Sequence, residues 1–165
     1  MNRKLFSHAA LLMLLTVGSV GSGYALSDIA GCNERLLSGH YGFTLQGTKY
    51  AVPGVPGPTG LQVGVAMADF DGDGSFEQID SVTIAGTPVS DFTHAAAHGK
   101  YTVNPDCTGT FTIDFTDGRP PVVTSFVVVE NGSEIDTVVT SVGGKEGILS
   151  LGSVGKKVRD WRPFR

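Results

Sequence analysis

Charge is scarce in this chain. Only 17% of its 165 residues are Asp, Glu, Lys or Arg, and the formal net charge is −4. That balance leaves no basic footprint for nucleic acid. Cysteine is scarcer still, with only Cys32 and Cys107 present, and two isolated cysteines are a weak basis for metal ligation. No Gly-rich loop opens a helix, so there is no phosphate cradle. No Ser-His-Asp constellation stands out, and no internal repeat of fixed period is present. Long helical periodicity is also missing. What the chain has instead is punctuation, 23 Gly and 8 Pro. That much glycine argues against a mostly helical protein, because Gly weakens helix interiors. It is too sparse and aperiodic for collagen. A hydrophobic fraction of 41% is enough for a core and argues against wholesale disorder, and the length suits one domain.

The first residues read as an address. Arg3 and Lys4 form a basic start, Leu11 to Leu15 and Val17 carry the apolar run, and Gly23-Tyr24-Ala25 offers small residues at both recognition positions. This is the layout of a secretory signal peptide over 1–25, cleaved after Ala25. The unbroken apolar part is shorter than the ~20 residues of a spanning helix, and no later run could span a membrane. Ile29-Ala30-Gly31-Cys32 also resembles a lipoprotein box. Asp28 precedes it directly, and polar or small residues separate it from the apolar run. The expected product is exported, periplasmic or extracellular. In such a compartment an isolated cysteine pair most often bridges. Cys32 and Cys107 lie 75 residues apart, so the bridge would pin the N-terminal segment to the middle of the domain.

The remainder, 26–155, reads as strands. Tyr41, Phe43 and Leu45 alternate with Gly42, Thr44 and Gln46. Pro-rich 53–58 is a loop. Leu61, Val63, Val65 and Met67 alternate with Gln62, Gly64, Ala66 and Ala68, and Asp71-Gly72-Asp73-Gly74 breaks the pattern before a strand from about Phe76 to Ile84. Segment 86–96 is ambiguous. Strands follow over 100–103, 110–116, 122–129, 134–142 and 147–154, with Asn131-Gly132 as the strongest hairpin signal. About eight strands with short connections predict an all-β antiparallel barrel, with a sandwich as the alternative. On that reading Tyr41, Phe43, Val63, Val65, Met67, Tyr101, Phe111, Ile113 and Phe115 face the interior, as core or as the lining of a ligand site.

An early Cys32 and three blocks carry a resemblance: Gly39-His40-Tyr41-Gly42-Phe43, Phe70-Asp71-Gly72-Asp73-Gly74, and Gly99-Lys100-Tyr101-Thr102-Val103 running on through Asn104-Pro105-Asp106 to Cys107-Thr108-Gly109. Together they resemble a group of small exported bacterial proteins, mostly uncharacterised. The resemblance implies a barrel of the allene oxide cyclase and dirigent type, within the calycin-like architecture. It carries over no catalytic residue.

The acidic turn fits a calcium template. Counting from Asp69, carboxylates Asp69, Asp71, Asp73, Glu77 and Asp80 fall at loop positions 1, 3, 5, 9 and 12, Ser75 adds a hydroxyl, and Gly74 falls where a calcium loop turns sharply. A structural Ca2+ is one expectation. A plain Asp- and Gly-rich hairpin connection is the other. His94 and His98 are spaced i and i+4, which would face one zinc on a helix but not on a strand, and solvated loop histidines are the simpler reading. The tail 156–165 carries Lys156, Lys157, Arg159, Arg162 and Arg165 against Asp160, while 26–155 holds 5 basic and 15 acidic residues. The tail either packs on this acidic barrel or meets an anionic partner. Function stays open among three readings. One is a binder of a small apolar ligand or partner without chemistry of its own. The second is a cyclase- or isomerase-type enzyme using the barrel cavity. The third is a structural envelope protein stabilised by calcium. Oligomeric state is not legible.

Overall fold

The computed structural model describes residues 31–51, 57–93 and 96–159. The expected signal peptide, His94 and the last six residues of the tail lie outside the described residues. Among the described residues nine strands form one antiparallel sheet: β1 Gly39–Lys49, β2 Gly60–Phe70, β3 Ser75–Ile84, β4 Thr87–Ser90, β5 Ala96–Val103, β6 Thr108–Phe115, β7 Val122–Val129, β8 Glu134–Val142 and β9 Leu149–Lys157. Their order is β2-β1-β9-β8-β7-β6-β5-β3-β4, and pairing of β2 with β3 closes eight of them into a barrel. The all-β single-domain barrel expected from the sequence is therefore present. β4 is the extra strand, paired to the far end of β3 through a register shift, and it lies in the segment whose sequence was ambiguous. Among the described residues no helix is long and apolar enough to cross a membrane.

The chain direction alternates, so the barrel has two distinct ends. One holds the N-terminal 3-10 turn Glu34–Leu37, the β2–β3 turn and the disulfide. This end is packed solid. Phe70 is its hub, with ring centroids 5.3 Å from Tyr41, 5.1 Å from Phe76, 5.2 Å from Tyr101 and 5.5 Å from Phe111. Phe111 in turn stacks on Phe126 at 4.2 Å. Leu37, Tyr41 and Ile135 are fully buried. Glycines on neighbouring strands make the room. A Cβ at Gly99 would meet the Phe76 ring, one at Gly109 the Phe126 ring, and one at Gly155 the Phe43 ring. The Gly-x-Tyr and Cys-x-Gly block is thus explained by ring packing.

Polar ties seal the same end. The Tyr41 hydroxyl donates to the Gly132 carbonyl, and the Tyr101 hydroxyl donates to the Glu34 carbonyl at 3.2 Å. Burial pushes the Tyr41 phenol up to about 12, with repulsion from Tyr101 adding to it. Glu130, Asn131 and Gly132 all have positive φ, and this left-handed run is what presents the Gly132 carbonyl inward. Cys32 and Cys107 are bridged, with Cα atoms 4.9 Å apart. The last strand extends to Lys157, so the first two residues of the expected basic tail are strand. Lys156 pairs with Glu134 at 2.9 Å, and Lys157 lies 5.6 Å from the Tyr41 ring centre.

Candidate functional site

The opposite end is built from the other ends of the same strands, and there the inward side chains change character. An interior void of about 110 Å³ lies beyond the aromatic plug, and a cavity of about 530 Å³ opens from it toward the end of the barrel. Gln62, Val82, Phe115, Arg119, Val122 and Leu149 line both spaces, so they form the ring where the two meet. Ile84, Val89, Val142 and Ile148 extend an apolar wall outward, and Lys49 and Lys145 lie at its edge.

The charged groups at the junction are paired. Asp80 on β3 points inward and is only 3% exposed. Arg119, in the β6–β7 connection, donates to both of its carboxylate oxygens at 3.3–3.4 Å. The same guanidinium donates through Nε to Asp117 at 2.7 Å and lies 3.8 Å over the Phe115 ring. The β6–β7 connection can place Arg119 so firmly because the Asp117 carboxylate also accepts the Arg119 backbone N–H at 3.1 Å. A buried carboxylate needs such a partner, since an uncompensated charge away from water is costly.

Several expected interior residues are where the alternation put them. Tyr41, Phe43, Tyr101 and Phe111 are buried in the core, and Phe43, Phe111, Ile113 and Phe115 line the inner void. β2 is the correction. Val63 and Val65 are 41% and 44% exposed on the outer surface, and Met67 shares that face. Gln62, Gly64, Ala66, Ala68 and Phe70 face inward instead. The large rings already fill the packed end, so the strand beside them must present small side chains there. A Cβ at Gly64 would crowd Val82 and Leu45. The signal that could have set the phase is Phe70, which pairs with Phe76 across the hairpin and shares a face with Gln62 by the two-residue period.

The acidic turn is a tight hairpin. Asp71 Oδ1 accepts the backbone N–H of Asp73 at 2.7 Å and of Ser75 at 2.9 Å. Those two bonds, Ser75 first, hold the Asp71 carboxyl below its ordinary value. Asp69 and Glu77 are cross-strand neighbours on the outer face. Asp80, three residues on from Glu77, falls on the inner face with Arg119. The twelve-residue calcium template is therefore split across the sheet, and Asp80 is not beside the turn. Among the described residues no group of three or more His, Cys, Asp or Glu side chains is placed to hold a metal ion. His98 is on the outer face of β5, opposite Glu77. His40 lies at the packed end, with Nδ1 3.4 Å from Asp69.

Sequence reasoning missed Gln62 and Arg119 as site residues, and took Asp80 for a different site. No family model matches the chain, and no curated protein matches it either.

Proposed function

We propose that the protein is an exported β-barrel that binds a small, mainly apolar molecule in the cavity at the end opposite its disulfide. The observation that carries the reading is the half-filled interior. One end is packed with aromatic rings, while the other opens into a cavity of about 530 Å³ walled by Val, Ile, Leu and Phe side chains. That volume falls within the ~300–1,000 Å³ of ordinary ligand sites, which are likewise mostly apolar with a few convergent polar groups. Export is supported by the signal-like 1–25 and by the bridged cysteines, which persist in oxidising compartments. The resemblance to calycin-like barrels agrees with this reading. The reading does not call on calcium, and of the acidic template positions Asp80 is the one that turns inward, to Arg119.

Binding of naphthalene, followed by its fluorescence, tests the cavity. Saturable binding is expected, with loss on Val142→Trp, which places a large ring against the cavity wall. If the folded protein binds no apolar probe, and no small molecule is extracted from protein purified from exporting cells, the reading is wrong. N-terminal sequencing of the exported protein is expected to begin at Leu26.

A further inference from the structure

Gln62 is out of keeping with its surroundings. It is 9% exposed, it sits on the inward face of β2, and it lines both the inner void and the larger cavity. Its side-chain amide makes no hydrogen bond to another protein group among the described residues, and it is open to the cavity rather than sealed in the wall. An amide held in an apolar wall with no protein partner forgoes hydrogen bonds that bulk water would give it, and a leucine of similar size would avoid that loss. The cost is repaid when something entering the cavity completes the hydrogen bonds.

The neighbouring charges say what that something is. Arg119 is the cation beside Gln62 in this ring, and it already serves two carboxylates, Asp80 and Asp117. A carboxylate brought to the same place would be stripped of water next to Asp80, and the cavity's two lysines, Lys49 and Lys145, are not among the residues of this ring. An ammonium would have to share the Asp80 oxygens, both of which already accept from Arg119. An uncharged hydroxyl or carbonyl has neither difficulty, and a primary amide offers both a donor and an acceptor to either group. From these placements we infer that the ligand is an apolar molecule carrying one uncharged hydroxyl or carbonyl group, which enters polar end first and hydrogen-bonds the Gln62 amide. The apolar body then lies against Ile84, Val89, Val142 and Ile148 toward the opening. This rests on the proposal that the cavity binds an apolar ligand, and it assigns the specificity to Gln62.

Three naphthalene derivatives of nearly equal size separate the ideas: naphthalene, 2-naphthol and 2-naphthoate, titrated by fluorescence into the wild-type protein and into Gln62→Leu and Gln62→Met. In wild type, 2-naphthol is expected to bind about tenfold more tightly than naphthalene, the worth of one good buried hydrogen bond, and 2-naphthoate more weakly than 2-naphthol. Both variants are expected to lose the preference for 2-naphthol while holding naphthalene at least as well as wild type. The inference is overturned if wild type does not distinguish naphthalene from 2-naphthol, if the variants weaken both equally, or if 2-naphthoate binds tightest. Binding of all three without discrimination refutes the role of Gln62 alone, whereas binding of none refutes the cavity reading beneath it. Thermal melts of the two variants establish that each is folded, and the apolar replacements are expected to melt no lower than wild type.

Discussion

Replacing Arg119 with methionine tests how the cavity junction is held. Methionine keeps a linear stem over the Phe115 ring but removes the guanidinium. Asp80, whose side chain is 4% exposed, then has no cation in contact among the described residues. Breaking a fully buried pair by removing one member typically costs about 3–5 kcal/mol. Arg119 is 25% exposed, so water already screens part of the interaction and lessens the loss. About 2–3 kcal/mol is the expected destabilisation, which for a barrel of this size lowers the midpoint by roughly 5–10 °C. Thermal unfolding followed by circular dichroism, with the disulfide intact, measures it. The companion variant Asp80→Leu/Arg119→Met removes both charges and is expected to recover most of the loss, since apolar pairs often replace buried ion pairs without penalty. A single variant within about 0.5 kcal/mol of wild type, or a double variant no better than the single, would refute the idea that Asp80 depends on Arg119.

Three further outcomes follow from other parts of the molecule. Cys32→Ser/Cys107→Ser opens a bridge spanning 75 residues, and a urea titration is expected to show a loss of up to ~4 kcal/mol; a change under about 1 kcal/mol would mean the bridge adds little to the packed end. Tyr41, at about 12 in the folded state, ionises near 10 when unfolded, so the folded state binds its proton more tightly. Stability is then complete below about pH 10, falls between roughly 10 and 12 by an amount on the order of 2–3 kcal/mol, and levels off above that. Tyr41→Phe should make this alkaline limb shallower, Tyr101 supplying the remainder, and an unaltered limb would contradict the burial argument. On β2, Val65→Thr is expected to change stability by no more than about 0.5 kcal/mol, whereas Ala66→Val, one residue on but facing the rings, should cost about 1–3 kcal/mol; the reverse order would restore the inward phase of Val63, Val65 and Met67.

Much of this barrel was legible because β-structure is written in local alternation and punctuation. Tyr41 and Phe43, Phe111 and Phe115, and the turn at Asn131-Gly132 could be placed from their neighbours alone. β2 could not, because both of its faces are apolar. Leu61, Val63, Val65 and Met67 compete with Gly64, Ala66, Ala68 and Phe70, and hydrophobicity alone prefers the wrong set. The deciding quantity is volume, which depends on how many rings the other strands bring to the same layer. Asp80 was misread for a related reason. A loop template counts residues along the chain, but on a strand the odd and even positions part company, so position 12 lies through the sheet from positions 1 and 9. Arg119 carries no local signature because its partner is 39 residues away.

The same volume argument explains why a cavity exists at all. Closing eight strands sets a barrel width that varies little along the axis, so the interior is full or hollow according to what points into it. At the disulfide end the inward residues include Tyr41, Phe70, Phe76, Tyr101, Phe111 and Phe126, and glycines opposite the rings keep them from colliding. Toward the other end the inward positions become Gln62, Gly64, Val82, Val122 and Leu149, too small to meet across the same span. The gradient in side-chain size therefore divides the molecule. The aromatic end supplies the stability, reinforced by the bridge and the Tyr41–Gly132 tie, so the far end can keep space, a buried ion pair and an amide without a partner. Those are the costs a close-packed interior would otherwise eliminate, and their concentration at one end, around one cavity, is what supports the proposal that this end binds a ligand.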